Sequence, residues 1–81
     1  MTQHFLKIEK VHFDALRSGC KTCEIRFNDR DYQKLDWIVL AEFEPEHSRL
    51  TGRRNIFQIT HIDNFQQKNN YVVLSLKKFS A

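Results

Sequence analysis

Five short runs of alternating or β-branched residues share this 81-residue chain with a single helical stripe, and that ratio decides what it can fold into. His4 to Glu9 (HFLKIE) alternates Leu6 and Ile8 against Lys7 and Glu9, as a half-buried strand does. In VHFDALRSG, Val11 and Ala15 together with Phe13, Leu16 and Cys20 fall at helical spacing. The helix begins near Lys10 or Val11, and Gly19 stands where two to three turns would end in a left-handed cap. Thr22 to Phe27, Leu35 to Glu44 (stopped by Pro45), Asn55 to Ile62 and Tyr71 to Lys77 read as four further strands. The order is β-α-β-β-β-β. One short helix cannot cover both faces of five strands, so the expected fold is mainly β (α+β). The economical form is a small, mostly antiparallel barrel that closes on itself, with the helix plugging one end. NDRDYQK and EHSRLTGRR read as polar loops, and DNFQQKNN as a connection between the last two strands.

Residues 1–81 are expected to form one domain, with no room for a second core. A chain this small buries only roughly 60–65% of the surface it exposes unfolded. Its 41% hydrophobic content is enough for that, and two Gly and one Pro rule out a linker-like composition. No apolar run approaches the ~20 residues of a membrane span. MTQHFLKIEK lacks the apolar core of a signal peptide, so the expectation is a soluble, cytoplasmic protein without a membrane partner. Thirteen Lys and Arg against ten Asp and Glu give a net charge of +3. That excess permits a nucleic-acid partner without demanding one.

The stretch Ser18 to Tyr32, SGCKTCEIRFNDRDY, concentrates the charge. Within it Cys23, Ile25 and Phe27 share one strand face, and Thr22, Glu24 and Arg26 share the other. Lys21 follows the helix stop, so its ammonium projects from the junction of helix and strand. Glu24 and Arg26 sit ~7 Å apart at the strand rise. An acceptor, two cations and a hydroxyl then fall within one nucleotide's reach. Arg can fork onto phosphate, and Glu can accept from the exocyclic amine of a base. The bland alternative is a wet strand face whose ion pairs are worth roughly 0–1 kcal/mol. In RLTGRR, Arg49, Arg53 and Arg54 are either ordinary surface or phosphate contacts beside the cleft, with Gly52 letting the backbone come close. Arg30 has two Asp neighbours and reads as locally paired.

Cys20 and Cys23 form a C-x-x-C, but two cysteines supply half a zinc site, and His4, His12, His47 and His61 lack ligand spacing. The pair also follows the helix, at the wrong dipole end for a redox thiol. Cys23 is expected to be a small buried side chain and Cys20 semi-exposed, with no metal and no cofactor. There is no Gly-rich phosphate loop and no nucleophile with a sequence-evident base. Phe5, Phe13, Phe27, Trp37, Phe43, Phe57 and Phe65 mostly fall at core positions. Tyr32 and Tyr71 are the candidates for stacking on a base, with rim packing the stronger expectation for Tyr71.

The run from Gly19 to Tyr32, G-x-K-T-x-E-I-R-x-N-D-R-D-aromatic, resembles the small bacterial and phage proteins of the DUF3850 family. His4, Leu6 and Lys7 at the start and Thr51 to Arg53 support the resemblance, which covers essentially the whole chain. That family belongs to the ASCH group of the PUA-like superfamily. The resemblance implies a PUA-like barrel and a cleft beside the first helix bordered by Gly19, Lys21, Glu24 and Arg26, with a role in RNA binding. Two positions depart from the family pattern. Leu35-Asp36 stands where a Gly-Asp usually precedes the third strand, and Gly19-Cys20 where a helix-end Gly-Lys is common. Some ASCH-like relatives are amidohydrolases acting on acylated cytidine through a Lys, a Thr and a distant Glu. Lys21 fits the first, Glu24 replaces the Thr, and Glu46 and Asp63 are unanchored candidates for the third.

The expected function is an RNA- or nucleotide-binding module, with Lys21, Thr22, Glu24, Arg26, Arg53 and Arg54 as its contacts. One alternative is an amidohydrolase on an N-acylated cytidine, carried by Lys21 and Glu24. Another is a phage or bacterial accessory interaction protein in which the cleft is incidental.

Overall fold

The computed structural model describes residues 1–79. In chain order it contains β1 (Gln3–Glu9), α1 (Lys10–Ser18), β2 (Cys23–Phe27), β3 (Trp37–Glu44), a 3-10 turn at Pro45–His47, β4 (Arg49–Asp63) and β5 (Tyr71–Lys78). All five strands join one sheet in the order β1-β3-β4-β5-β2. β1 and β3 run parallel and the other pairs antiparallel. The excursion through α1 and β2 supplies the long crossover that a parallel pair requires.

Strand alternation builds the core. Leu6 and Ile8 from β1, Ile38 and Leu40 from β3, Phe57 and Ile59 from β4, and Val72, Leu74 and Leu76 from β5 meet on the concave face. Phe13 and Leu16 of α1 close over them. Val11, which shares the helical spacing, points to solvent instead. Gly19 ends the helix at φ 87°, with its N–H on the Leu16 carbonyl at 3.2 Å. The Lys21 N–H turns back to the Ala15 carbonyl at 3.0 Å, so the chain wraps the helix end and enters β2.

The barrel is a half-barrel. Backbone pairing stops at β1 and β2, which are the two edges of the sheet. Side chains bridge the seam: Arg26 Nη2 donates to the Lys7 carbonyl at 2.9 Å and Arg30 Nη1 to the Phe5 carbonyl at 3.2 Å. These are carbonyls of an edge strand, and the two guanidiniums occupy acceptors that would otherwise invite another chain. Arg30 thus serves the seam more than its Asp neighbours, since Asp29 lies 3.9 Å away.

Several sequence expectations are corrected. The segment read as a polar loop, EHSRLTGRR, is strand from Arg49 onward, so β4 is far longer than its β-branched part. Its pairing with β3 slips between Ala41 and Phe43, and Gly52 sits close to that irregularity at φ 97°. β2 is turned over relative to a core strand: Ile25 is 58% and Phe27 48% exposed, while Glu24 is 8% exposed and lies inward. Phe5 and Phe65 are exposed as well, and Cys23 is only half-buried. Tyr32, a candidate for stacking on a base, is buried in the core with its ring edge-on to His4 at 4.9 Å. Burial accordingly raises its phenol pKa. Tyr71 packs edge-on against Phe27 at the rim, as expected. Among the described residues no helix is long and apolar enough to cross a membrane.

Candidate functional site

The inverted face of β2 makes the site. Where the other strands point Leu, Ile, Val and Phe into the concavity, β2 offers Glu24 and Arg26 at its open side, beneath the end of α1. The turn around Gly19 delivers Lys21 to the same place. Lys21 Nζ donates to Glu24 Oε1 at 2.8 Å, and Arg26 Nε donates to Glu24 Oε2 at 3.2 Å. A carboxylate with one cation on each oxygen is a satisfied arrangement, and its burial strengthens it beyond an exposed pair. The three groups carry one net positive charge.

His12, from the first turn of α1, joins them: Lys21 Nζ donates to its Nδ1 at 3.2 Å, which leaves the other ring nitrogen as the N–H. Its ligand-spacing test fails in the sequence, so only the fold reveals it. Lys21 uses two of its three N–H donors on Glu24 and His12, and Arg26 two of its five on Glu24 and Lys7. The remaining donors have no partner among the described residues and can meet an anion. Thr22 is exposed; its carbonyl extends the ladder to the Leu76 N–H at 2.9 Å, and its hydroxyl makes no hydrogen bond among the described residues.

Arg53 and Arg54 do not join this cluster. Arg53 turns inward and forks onto Glu42, with Nε to Oε1 at 2.9 Å and Nη2 to Oε2 at 2.7 Å. It also reaches Asp14 Oδ1 at 2.7 Å and stacks over the Phe13 ring at 4.8 Å. The Thr51 hydroxyl completes the Glu42 cradle at 2.7 Å, and Lys10 pairs with Asp14. The Arg53 and Thr51 hydrogen bonds hold the Glu42 carboxyl below its ordinary pKa, and Lys10 and Arg53 do the same for Asp14. The two carboxylates push the Arg53 guanidinium further up. This network ties α1 to β3 and β4 on the side away from His12. Its one sequence signal is Glu42, a lone carboxylate inside the apolar run WIVLAEF, which a buried strand tolerates only with a partner. Arg54, the next residue, faces outward.

A third polar site lies near the start of β3. His4 Nε2 donates to Asp36 Oδ2 at 2.9 Å, and the N–H groups of Thr2 and Gln33 reach Asp36 at 3.0 Å each. Burial pushes the Asp36 carboxyl up, but these hydrogen bonds outweigh it and hold the pKa below the usual value. Leu35, beside it, adopts φ 76°, the left-handed backbone that suits glycine. The turn therefore keeps a glycine-type geometry with leucine in place.

Cys20 and Cys23 are free thiols. Among the described residues one trio, Glu44, Glu46 and His47, brings possible metal-ligand atoms within 4.8 Å of one another. Glu46 and His47 are exposed, and Glu44 already pairs with Arg49 at 3.1 Å. Surface grooves lie on the outward sheet face and beside the 3-10 turn, apart from Lys21, Glu24 and Arg26. Lys21, Glu24 and Arg26 thus form a self-paired cluster at the helix–strand junction.

No curated protein matches the chain. Residues 3–76 match the family described as "Domain of unknown function (DUF3850)", and the chain belongs to that family.

Proposed function

We propose that this chain is an RNA- or nucleotide-binding module of the ASCH, PUA-like kind, whose ligand meets the cluster at the end of α1. One observation carries the reading: two cations and a buried carboxylate from a helix stop and a neighbouring strand converge on one point, with cationic donors to spare. In a 9.8 kDa chain, placing Glu24 and Arg26 where other strands supply core side chains weakens the core. A ligand site is a physical reason to keep them there. The spare N–H groups of Lys21 and Arg26 suit phosphate or ribose oxygens, and Glu24 suits the exocyclic amine of adenine, cytosine or guanine. A ligand enters by taking over part of the internal pairing, so binding is exchange of one ion pair for another and falls with salt.

Hydrolysis of an acylated cytidine is the weaker reading. Glu46 lies on the 3-10 turn and Asp63 at the end of β4, and neither contacts Lys21 among the described residues. The test is titration with short single-stranded RNAs at low and moderate salt. Saturable binding that Lys21→Ala weakens supports the proposal; its absence, or indifference to Lys21→Ala, rejects it. Release of acetate from N4-acetylcytidine, abolished by Lys21→Ala, would move the assignment to an amidohydrolase.

A further inference from the structure

The outward face of the sheet is not the polar surface that strand alternation usually leaves to water. Register sets Phe5, Val39 and Ile56 side by side across β1, β3 and β4. The Phe79 N–H reaches the Ile56 carbonyl at 2.8 Å and extends that row past the end of β5. Phe5, Ile56 and Phe79 are each more than two-fifths exposed. They line a groove of about 550 Å³ together with Arg54. Trp37, one step along β3, stands edge-on to Phe79 at 5.6 Å and carries the groove toward Lys77.

Cations flank this apolar row on both sides. Two residues along the strands in one direction, register aligns Lys7, Ala41 and Arg54. Two residues the other way, it aligns Gln3, Trp37, Gln58 and Lys77. The strand rise puts the flanking rows roughly 13 Å apart. No Asp or Glu occurs in any of the three rows, and the first acid on this face is Glu9, one row beyond Lys7. Arg54 and Lys77 make no ion pair among the described residues. Beyond Glu9, the acids Glu42, Glu44 and Glu46 line a separate groove beside the 3-10 turn.

We propose that this face is a second binding site, a platform for single-stranded nucleic acid. Unpaired bases stack on Phe5, Phe79 and Trp37, and the backbone phosphates on either side meet Lys7, Arg54 and Lys77. Flat apolar rings between rows of positive charge match a polyanion whose bases are unpaired. They do not match a second copy of this chain, because a two-fold contact would set Lys7, Arg54 and Lys77 against their own kind. The site lies on the opposite side of the sheet from the Lys21 cluster and does not rest on it.

Trp37 is the one tryptophan of the chain, so its fluorescence reports on this face directly. Titration of the full chain with the octanucleotides rU8 and dT8 is expected to quench Trp37 saturably, more weakly as salt rises. Phe79→Ala is expected to weaken binding about tenfold, in line with the loss of one stacked base. Lys77→Glu, a reversal on an exposed side chain that leaves the fold intact, is expected to weaken it as well. Lys21→Ala leaves the Trp37 quench in place. The proposal is overturned if neither oligonucleotide quenches Trp37 saturably, or if Phe79→Ala and Lys77→Glu bind as the parent does. It is equally overturned if sedimentation shows a dimer that Phe79→Ala dissociates. RNA binding that Lys21→Ala abolishes and these two variants do not touch would remove this site and keep the α1–β2 assignment; the reverse pattern would do the opposite.

Discussion

Replacing Asp36 with alanine is expected to destabilise the protein more than any surface change. Its carboxylate takes hydrogen bonds from the buried His4 ring and from the N–H groups of Thr2 and Gln33. Truncation leaves all three donors without that acceptor. The His4 ring, 6% exposed, bears a full desolvation penalty of about 2 kcal/mol, and the two half-buried N–H groups nearer water about 1 kcal/mol or less each. The expected loss is therefore about 3 kcal/mol, against roughly 4–12 kcal/mol of total stability for a chain this long. At about 4–8 °C per kcal/mol for a domain of this size, the melting temperature should fall by roughly 12–24 °C. Asp36→Asn keeps one acceptor oxygen but turns a donor toward donors, and should lose about half as much.

The sign of the pH dependence follows from the lowered Asp36 pKa. A carboxyl whose folded pKa is depressed stabilises the protein fully above its unfolded value, near 3.9, and loses that contribution as pH falls through the folded pKa. The stability gap between the parent and Asp36→Asn should thus be constant near neutrality and close below about pH 4. Urea unfolding followed by Trp37 fluorescence, with far-ultraviolet circular dichroism as a second probe, measures both. A parent and an Asp36→Ala variant within about 0.5 kcal/mol of each other would refute this reasoning.

Arg53→Ala should lower the melting temperature, because it strips Glu42 of its bidentate partner and leaves Asp14 with Lys10 alone; Arg53→Lys should restore only part of the loss, since an ammonium cannot fork onto both Glu42 oxygens. Leu35→Val should destabilise by about 1 kcal/mol or more, as a β-branched residue is strained at φ 76°, whereas Leu35→Asn should be tolerated, and thermal melts separate the two. Arg26→Ala combined with Arg30→Ala should speed hydrogen exchange along β1 and promote self-association through the uncovered edge, read by exchange mass spectrometry and light scattering.

Most of the architecture was legible because it rests on local signals. Gly19 as a helix stop, Pro45 as a strand stop, and the alternation in β1 and β5 are all realised. Three features were not legible, each for a tertiary reason. The loop reading of Arg49 to Arg54 followed its polarity, but pairing with β3 holds this segment extended whatever its composition. The orientation of β2 ran against its hydrophobic face, because the concave side at the seam takes Glu24 and Arg26 and leaves Ile25 and Phe27 outside. Tyr32 follows a charged run that reads as exposed, yet its N–H bonds Asn28 Oδ1 at 3.0 Å and its ring drops beside His4. At the site, Lys21, Glu24 and Arg26 converge as their spacing suggested. His12 and the Arg53–Glu42–Asp14 network depend on how α1 lies on the sheet, which no local pattern encodes.

The most direct test is an NMR titration of the isotopically labelled chain with CMP and UMP. These nucleotides share phosphate and ribose and differ at the pyrimidine position where CMP carries an amine and UMP a carbonyl. Saturable shifts centred on Lys21, Glu24 and Arg26, with CMP bound more tightly than UMP and the preference erased in Glu24→Gln, are the expected result. Shifts that spare these residues, or no saturation with either nucleotide, would contradict the assignment.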